Sequence, residues 1–198
     1  MALPAWVPTS ETKPAPYPLL VVQSFVNTRE ADIGADLLLD DEVAARAWLG
    51  DAGLVDPDAP EIDLAEARAF RESIRALLVH NGGGPRPTAA ELGAMERIAA
   101  RCRLRPAVDG RGRVELEATA DGEPAPWPRL LLIIRDAQRD GTWERLKACR
   151  NDECRWAFYD RSHAARGAWC DMAVCGNRMK NRSLRSRRAG AGREASQG

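Results

Sequence analysis

Apolar residues recur at helical spacing through most of the first hundred positions, and that period organises the chain. "PLLVVQSFVNTRE" places Leu20, Val21 and Phe25 where a helix can use them, although its β-branched residues also suit a strand. "DLLLDDEVAARAWLG" predicts a helix from about Asp41 to Leu49, with acids in its first turn and Gly50 to stop it. "DLAEARAFRESIRALLVHNGGG" gives the clearest helix. Asp63 caps it, Glu66 follows three positions on, and Leu64, Ala67, Phe70, Ile74, Leu77 and Leu78 form its apolar stripe up to Asn81-Gly82. "TAAELGAMERIAARC" repeats the device, with Thr88 as cap, Glu91 answering it, and Leu92, Met95 and Ile98 facing inward.

The period then changes to two. "CRLRPAV", the turn "DGRG" and "RVELEAT", with Val114, Leu116 and Ala118 alternating, predict a β-hairpin. "EPAPWP" breaks the pattern, "RLLLIIRDAQRDG" predicts a helix ending at Gly141, and "WERLKA" leads into the cysteines as one further turn. The expected fold is mainly α: a helical N-terminal domain with a small hairpin, then a small C-terminal module of treble-clef-like design, built from a knuckle, a short hairpin and a helix. Residues 1–18, with five prolines, are expected to be a flexible lead-in; 19–142 form the helical domain, 143–188 the small module with a basic helix, and 189–198 a disordered tail.

Charge sharpens this division. Net charge over the 198 residues is zero, yet residues 1–142 carry 16 Lys/Arg against 23 Asp/Glu, and residues 143–198 carry 13 against 6. An acidic body with a basic C-terminal module points to a polyanion as partner of that module alone, or to attraction between the two halves. The longest apolar run, Leu130 to Ile134, is far too short for a membrane span, so no membrane partner is expected. The N-terminus lacks the basic start and apolar core of a secretory signal, and a cytoplasmic location is expected. No Gly-rich phosphate loop appears, since "NGGGP" follows a helix instead of joining a strand to one.

Four of the five cysteines gather as Cys149-x4-Cys154-x15-Cys170-x4-Cys175. Two short pairs with a spacer of this length have the layout of a four-thiolate zinc site, closed to substrate, holding one structural ion. His163 lies unpaired in mid-spacer, and Cys102 reads as a small apolar residue of the body. Trp156, Phe158 and Trp169 supply the few large rings a domain of this size needs beside its metal.

The segment "CRNDECRWAFYDRSHAARGAWCDMAVCGNRMKNRSLRSRR" resembles the CGNR zinc finger of bacterial proteins. Trp156, Phe158, Asp160, Ser162, Trp169, Cys170, Met172 and Cys175-Gly176-Asn177-Arg178 stand in register with its motifs. Upstream, "FVNTRE", "DLL" and "FRESIRALL" are similar to the α-helical ABATE domain that commonly precedes that finger. The resemblance implies a stress-induced transcription regulator. One departure is visible: relatives commonly carry an Arg-Arg pair before the Trp-Cys, whereas this chain has "RGAWC", with only Arg166 nearby.

Beside the last ligand, Gly176 is expected to let the backbone approach a sulfur, and Asn177 to bridge turn and helix. Arg178 is expected either to pair with Asp160 in support of the metal site or to fork onto phosphate. From Arg178 to Arg188 there are six bases and no acid: Arg178, Lys180, Arg182, Arg185, Arg187 and Arg188. On a helix, Arg178, Arg182 and Arg185 share one face, a repulsive arrangement that a nucleic-acid backbone would relieve. Asn27, Arg71 and Glu72 are candidates for a ligand pocket in the body. The function expected is a zinc-binding bacterial transcription regulator that contacts DNA through the finger, with a body that senses a small-molecule effector or mediates association, such as a homodimer. The alternative is an adaptor binding an acidic partner. An enzyme is not expected, because four sulfur ligands leave zinc no open position.

Overall fold

In the computed structural model, residues 2–55, 62–118 and 127–182 are described. The fold is mainly α. Helix α1 (Leu19–Val26) runs through the centre, and all eight of its residues are buried. Burial on every side explains why its periodicity was ambiguous between helix and strand. A two-residue hairpin, β1 (Arg29–Glu30) with β2 (Ala35–Asp36), leads to the short α2 (Leu37–Asp40) and to α3 (Glu42–Asp51). Asp36 and Asp41 cap these two helices by accepting from the Leu38 and Ala44 amides. Helix α3 runs through Gly50 instead of stopping there, and the left-handed residue of its exit turn is Gly53, at φ 63°.

Helix α4 (Leu64–Asn81) is capped by Asp63, whose carboxylate accepts from the amides of Ala65 and Glu66. Glu66 does not complete a capping box; its carboxylate takes the Trp127 indole N–H and an Arg101 guanidinium. Helix α5 (Ala89–Arg101) carries the full reciprocal box between Thr88 and Glu91. Strands β3 (Leu104–Val108) and β4 (Val114–Ala118) form the expected antiparallel hairpin, with Leu104 opposite Ala118 and Val108 opposite Val114. Helix α6 (Trp127–Asp140) begins two residues earlier than its apolar run suggested.

Around α1 the core is aromatic. The Phe25 ring lies 6.1 Å from Phe70, 5.9 Å from Trp127 and 6.4 Å from Trp48, and Phe70 meets Trp127 edge-on at 5.5 Å. Trp127, placed by its prolines in a break, is thus one of the central rings.

The parts on either side of residue 142 share one apolar cluster. After a 3-10 turn (Trp143–Arg145), "LKA" forms strand β5 (Leu146–Ala148), paired with β6 (Ala157–Tyr159). Leu146, Ala148, Ala157 and Tyr159 belong to the same apolar cluster as α1, α4 and α6. Asn27 joins the two parts directly: its Oδ1 accepts from the Ala157 amide at 2.7 Å and its Nδ2 donates to the Ala157 carbonyl at 2.9 Å. The side-chain amide thereby substitutes for a neighbouring strand.

Residues 2–18 also depart from expectation. They form a packed strap, because their side chains find partners in both parts. The Trp48 indole donates to the Trp6 carbonyl, and Val7 and Ala15 are buried. The Lys13 carbonyl accepts from the Tyr159 amide at 2.9 Å, the Lys13 ammonium donates to the Trp169 carbonyl, and Glu11 accepts from Asn27 and from the Trp156 indole. Burial of Glu11 outweighs these bonds and pushes its pKa up.

Replacing Asn27 with Ala should destabilise the protein by about 1–3 kcal/mol, because the buried Ala157 amide loses its acceptor while its carbonyl keeps only the Gln23 side chain as donor. Chemical denaturation followed by tryptophan fluorescence measures this. An Asn27→Ala protein as stable as the parent would show that the finger is held by other means.

Candidate metal centre

Strand β5 ends at the first ligand and β6 begins just after the second, so the hairpin presents Cys149 and Cys154 from one tight knuckle. The Cys149 amide donates to the Trp156 carbonyl, and the amides of Cys154 and Arg155 both close onto the Asn151 carbonyl. The second pair comes from the other side of the spacer. Cys170 precedes a wide helical turn (Met172–Gly176) that carries Cys175, and Asp171 caps this turn by accepting from the Val174 amide. The helix continues over residues 177–182.

All four sulfurs lie within 4.8 Å of one another. Cys154 to Cys170 measures 3.6 Å and Cys170 to Cys175 measures 3.7 Å. A tetrahedral zinc with sulfur at about 2.3 Å has ligand–ligand edges of about 3.8 Å, whereas a disulfide would need about 2.05 Å. The spacing fits a shared ion and excludes disulfides among the four. The exposed His163 lies outside the cluster, and Cys102 packs against the body core.

Electrostatics point the same way. Hydrogen bonds from the Cys154 and Cys170 thiols drive the Cys149 pKa down, with the backbone N–H groups of Cys170 and Asn151 assisting. Cys154 and Cys170 are pushed up in turn, chiefly by the bond each gives to Cys149. One thiolate is thus welcome among these sulfurs and further ones are resisted until a cation compensates them. The chain therefore carries a closed site for one structural zinc ion. Zinc bound there supplies a cross-link between knuckle and helix.

The surroundings of the sulfurs differ in part from expectation. Arg178 does not pair with Asp160; it is exposed on the helix after the last ligand. Asp160 instead holds Lys147 at 2.8 Å, both side chains being 5% exposed, and accepts from Ser162 and from the Gly167 amide. Burial would raise its pKa, but Lys147, Ser162 and Gly167 outweigh that and hold it well below the usual carboxylate range. A Cβ on Gly167 would come 2.8 Å from this carboxylate. The Gly176 amide donates to the Asp171 carbonyl, not to a sulfur, and the side of Gly176 where a Cβ would stand is filled by the Met172 thioether. Asn177 does bridge turn and helix, its side-chain amide donating to the Ala173 carbonyl at 3.0 Å.

One residue near the ligands was missed. Asn151 is buried, directs its side-chain amide at the Cys175 sulfur 3.9 Å away, and accepts from the Glu153 amide. An asparagine between two ligands five positions apart was the available signal.

Of the three pocket candidates, Arg71 and Glu72 are brought together, the Arg71 Nε donating to Glu72 at 3.0 Å, and each is committed to partners within the fold. Asn27 is committed to Ala157. Arg71 is 2% exposed and forks onto Asp36, at 2.6 Å and 2.7 Å, also donating to Thr28. This pair ties α4 to the β1–β2 hairpin, so Arg71 is unavailable to a ligand. Glu72 alone of the three lines a cleft. Of the basic residues, Arg178, Lys180 and Arg182 are exposed, with Arg182 3.3 Å from Glu153; Arg185, Arg187 and Arg188 lie outside the described residues.

Cys175→Ser should reduce bound zinc to well below one equivalent per chain, measured by elemental analysis after dialysis. A full equivalent in that variant would show that a different ligand set holds the ion. The Asp160 interactions set a second expectation. A carboxylate whose folded pKa is depressed contributes stability above its unfolded value of about 3.9 and loses it as pH falls through the folded value. Asp160→Asn should therefore be destabilised relative to the parent at neutral pH, with the gap narrowing as acid denaturation curves are followed downward.

Residues 145–188 match the family model of the CGNR zinc finger. Residues 21–139 match the ABATE model, described as "Putative stress-induced transcription regulator". Among curated proteins, none matches the chain. Since the ABATE match alone spans more than half of the sequence and the finger follows it with all four sulfurs in place, this chain belongs to the ABATE family of zinc-binding regulators with a C-terminal CGNR finger.

Proposed function

We propose that this chain is a bacterial transcription regulator that binds duplex DNA through the helix following Cys175, in the cytoplasm, and that it is not an enzyme. One observation carries the reading. Zinc anchors the first turn of that helix, and Arg178, Lys180 and Arg182 leave it exposed, continuous in sequence with Arg185, Arg187 and Arg188. Arg178 and Arg182 share a face at a spacing of four, an arrangement that costs energy in an isolated helix and is relieved by phosphates. Arg182 has Glu153 as neighbour, but both side chains are about two-thirds exposed, so the ion pair is weak and readily exchanged.

No helix among the described residues is long and apolar enough to cross a membrane. A zinc ion with four sulfur ligands has no position for a substrate, which supports a scaffold role over catalysis. The body serves as the regulatory part: it senses an effector or mediates association, and its junction with the finger is rigid enough to pass a change on.

The zinc-loaded protein should bind duplex DNA with affinity that falls steeply with salt. Neutralising Arg178 and Lys180 to Gln should flatten the log-affinity against log-salt slope by about 1 for each residue. Fluorescence anisotropy at several salt concentrations measures this. Absence of binding to every duplex tested at low salt would remove the DNA reading in favour of an adaptor that docks the same helix on an acidic protein.

A further inference from the structure

Where α4 and α5 meet the first zinc knuckle, the surface opens into a cleft of about 900 Å³, large enough for a ligand of nucleotide size. Ala69 and Ala76 on α4 and Ala90 and Ala94 on α5 give part of its lining an uncharged face. Arg29, Arg75, Arg86, Arg97, Arg150 and Arg155 also line it, against Glu72, Glu91 and Asp152.

The three carboxylates are already committed. Glu72 is shared by Arg29 at 3.6 Å and by Arg71 and Arg75 at 3.0 Å each. Glu91 closes the capping box with Thr88. Asp152 pairs with Arg155. Arg86 and Arg97 have no carboxylate within ion-pair distance among the described residues. Arg150 places Nε and Nη2 on the Gly82 carbonyl, at 2.9 Å and 2.6 Å, a neutral partner that leaves its charge uncompensated. Arg75 is buried, and burial together with Arg71 and Arg29 lowers its pKa against the support of Glu72. Guanidinium forks facing a concave surface with spare positive charge match the planar, multi-oxygen face of a phosphate.

We infer that this cleft is a binding site for a small organic phosphate, held by the lining arginines with its uncharged part against the alanines. The inference deepens the regulator reading by naming the chemical class of effector, and it rests on that reading for its regulatory meaning, though not for binding itself. Two of these arginines explain how occupancy reaches the finger. Arg150 directly follows the ligand Cys149, and Arg155 directly follows Cys154. Arg155 sits in the left-handed region at φ 53°, and its carbonyl is held by Arg75 at 2.9 Å. A phosphate drawn to these guanidinium groups pulls on the knuckle from the body side, on the peptide units next to two of the sulfurs.

Titration calorimetry of the zinc-loaded full chain with inorganic pyrophosphate, adenosine 5′-monophosphate, adenosine and citrate tests this. Pyrophosphate and the nucleotide should bind saturably, adenosine should not bind, and citrate should bind more weakly than either phosphate. The double variant Arg86→Glu/Arg97→Glu alters two exposed side chains and should retain zinc and melting temperature while binding the nucleotide at least about tenfold more weakly. Should the double variant lose its zinc or fold, Arg97→Gln alone carries the same comparison. No phosphate binding to the parent, equal affinity in the variant, or citrate binding as tightly would overturn the assignment. So would an equal loss of DNA affinity in the double variant without any small phosphate present, since the cleft would then be part of a nucleic-acid surface. Phosphate binding without DNA binding would leave this site standing and overturn only the regulator reading.

Discussion

The carboxamide of Asn27 bonding both backbone groups of Ala157 is the interaction on which the arrangement of this protein turns. It sits where the end of α1 meets β6, with both residues buried, and it makes the finger's hairpin an extension of the body's interior. Leu146, Ala148, Ala157 and Tyr159 then complete an apolar cluster that begins at Ala15 and Leu19. Arg75 and Arg150 add to the joint from the helical side, through the Arg155 and Gly82 carbonyls. The finger is consequently not a bead on a string, and its metal holds together a second, smaller buried cluster of four sulfurs, Trp156 and Trp169.

This division of labour separates two tasks by distance along the chain. Strands β5 and β6 are secured by the body, so their loop can devote itself to metal coordination. The segment from Cys170 to Cys175 has little body contact to rely on and is secured by zinc. The helix beyond it inherits its direction from the ion, while the knuckle arginines face back toward α4 and α5. The zinc centre therefore stands between two cationic surfaces, one on the outward helix and one in the cleft.

Much of this was legible in the sequence, for physical reasons that differ by element. The caps at Asp63 and Thr88, the hairpin after Cys102 and the sulfur ligands all announce themselves locally, through side chains that act on backbone or metal within a few positions. What was illegible depends on distant partners. Prolines marked residues 2–18 as a lead-in, and nothing local shows that Lys13 and Glu11 meet Tyr159 and Trp156. Trp127 sits between prolines and reads as a break until the rings of Phe25 and Phe70 are beside it. Asn27 and Arg71 look like pocket residues because they are polar within apolar segments; both are polar because a buried backbone or carboxylate needs them. Of the two roles open to Arg178, pairing with Asp160 or a fork onto phosphate, the first is taken by Lys147, on the facing strand, which reaches that carboxylate at 2.8 Å.

The strap formed by residues 2–18 constrains how the molecule is made. Its polar partners lie near residues 156–169, and α1 shares its central cluster with β5 and β6. In synthesis from the N-terminus, the strap and the side of α1 that faces β5 and β6 wait for residues 146–159 before these partners arrive. Closure of that side of the interior thus falls together with the arrival of the thiols that recruit the ion.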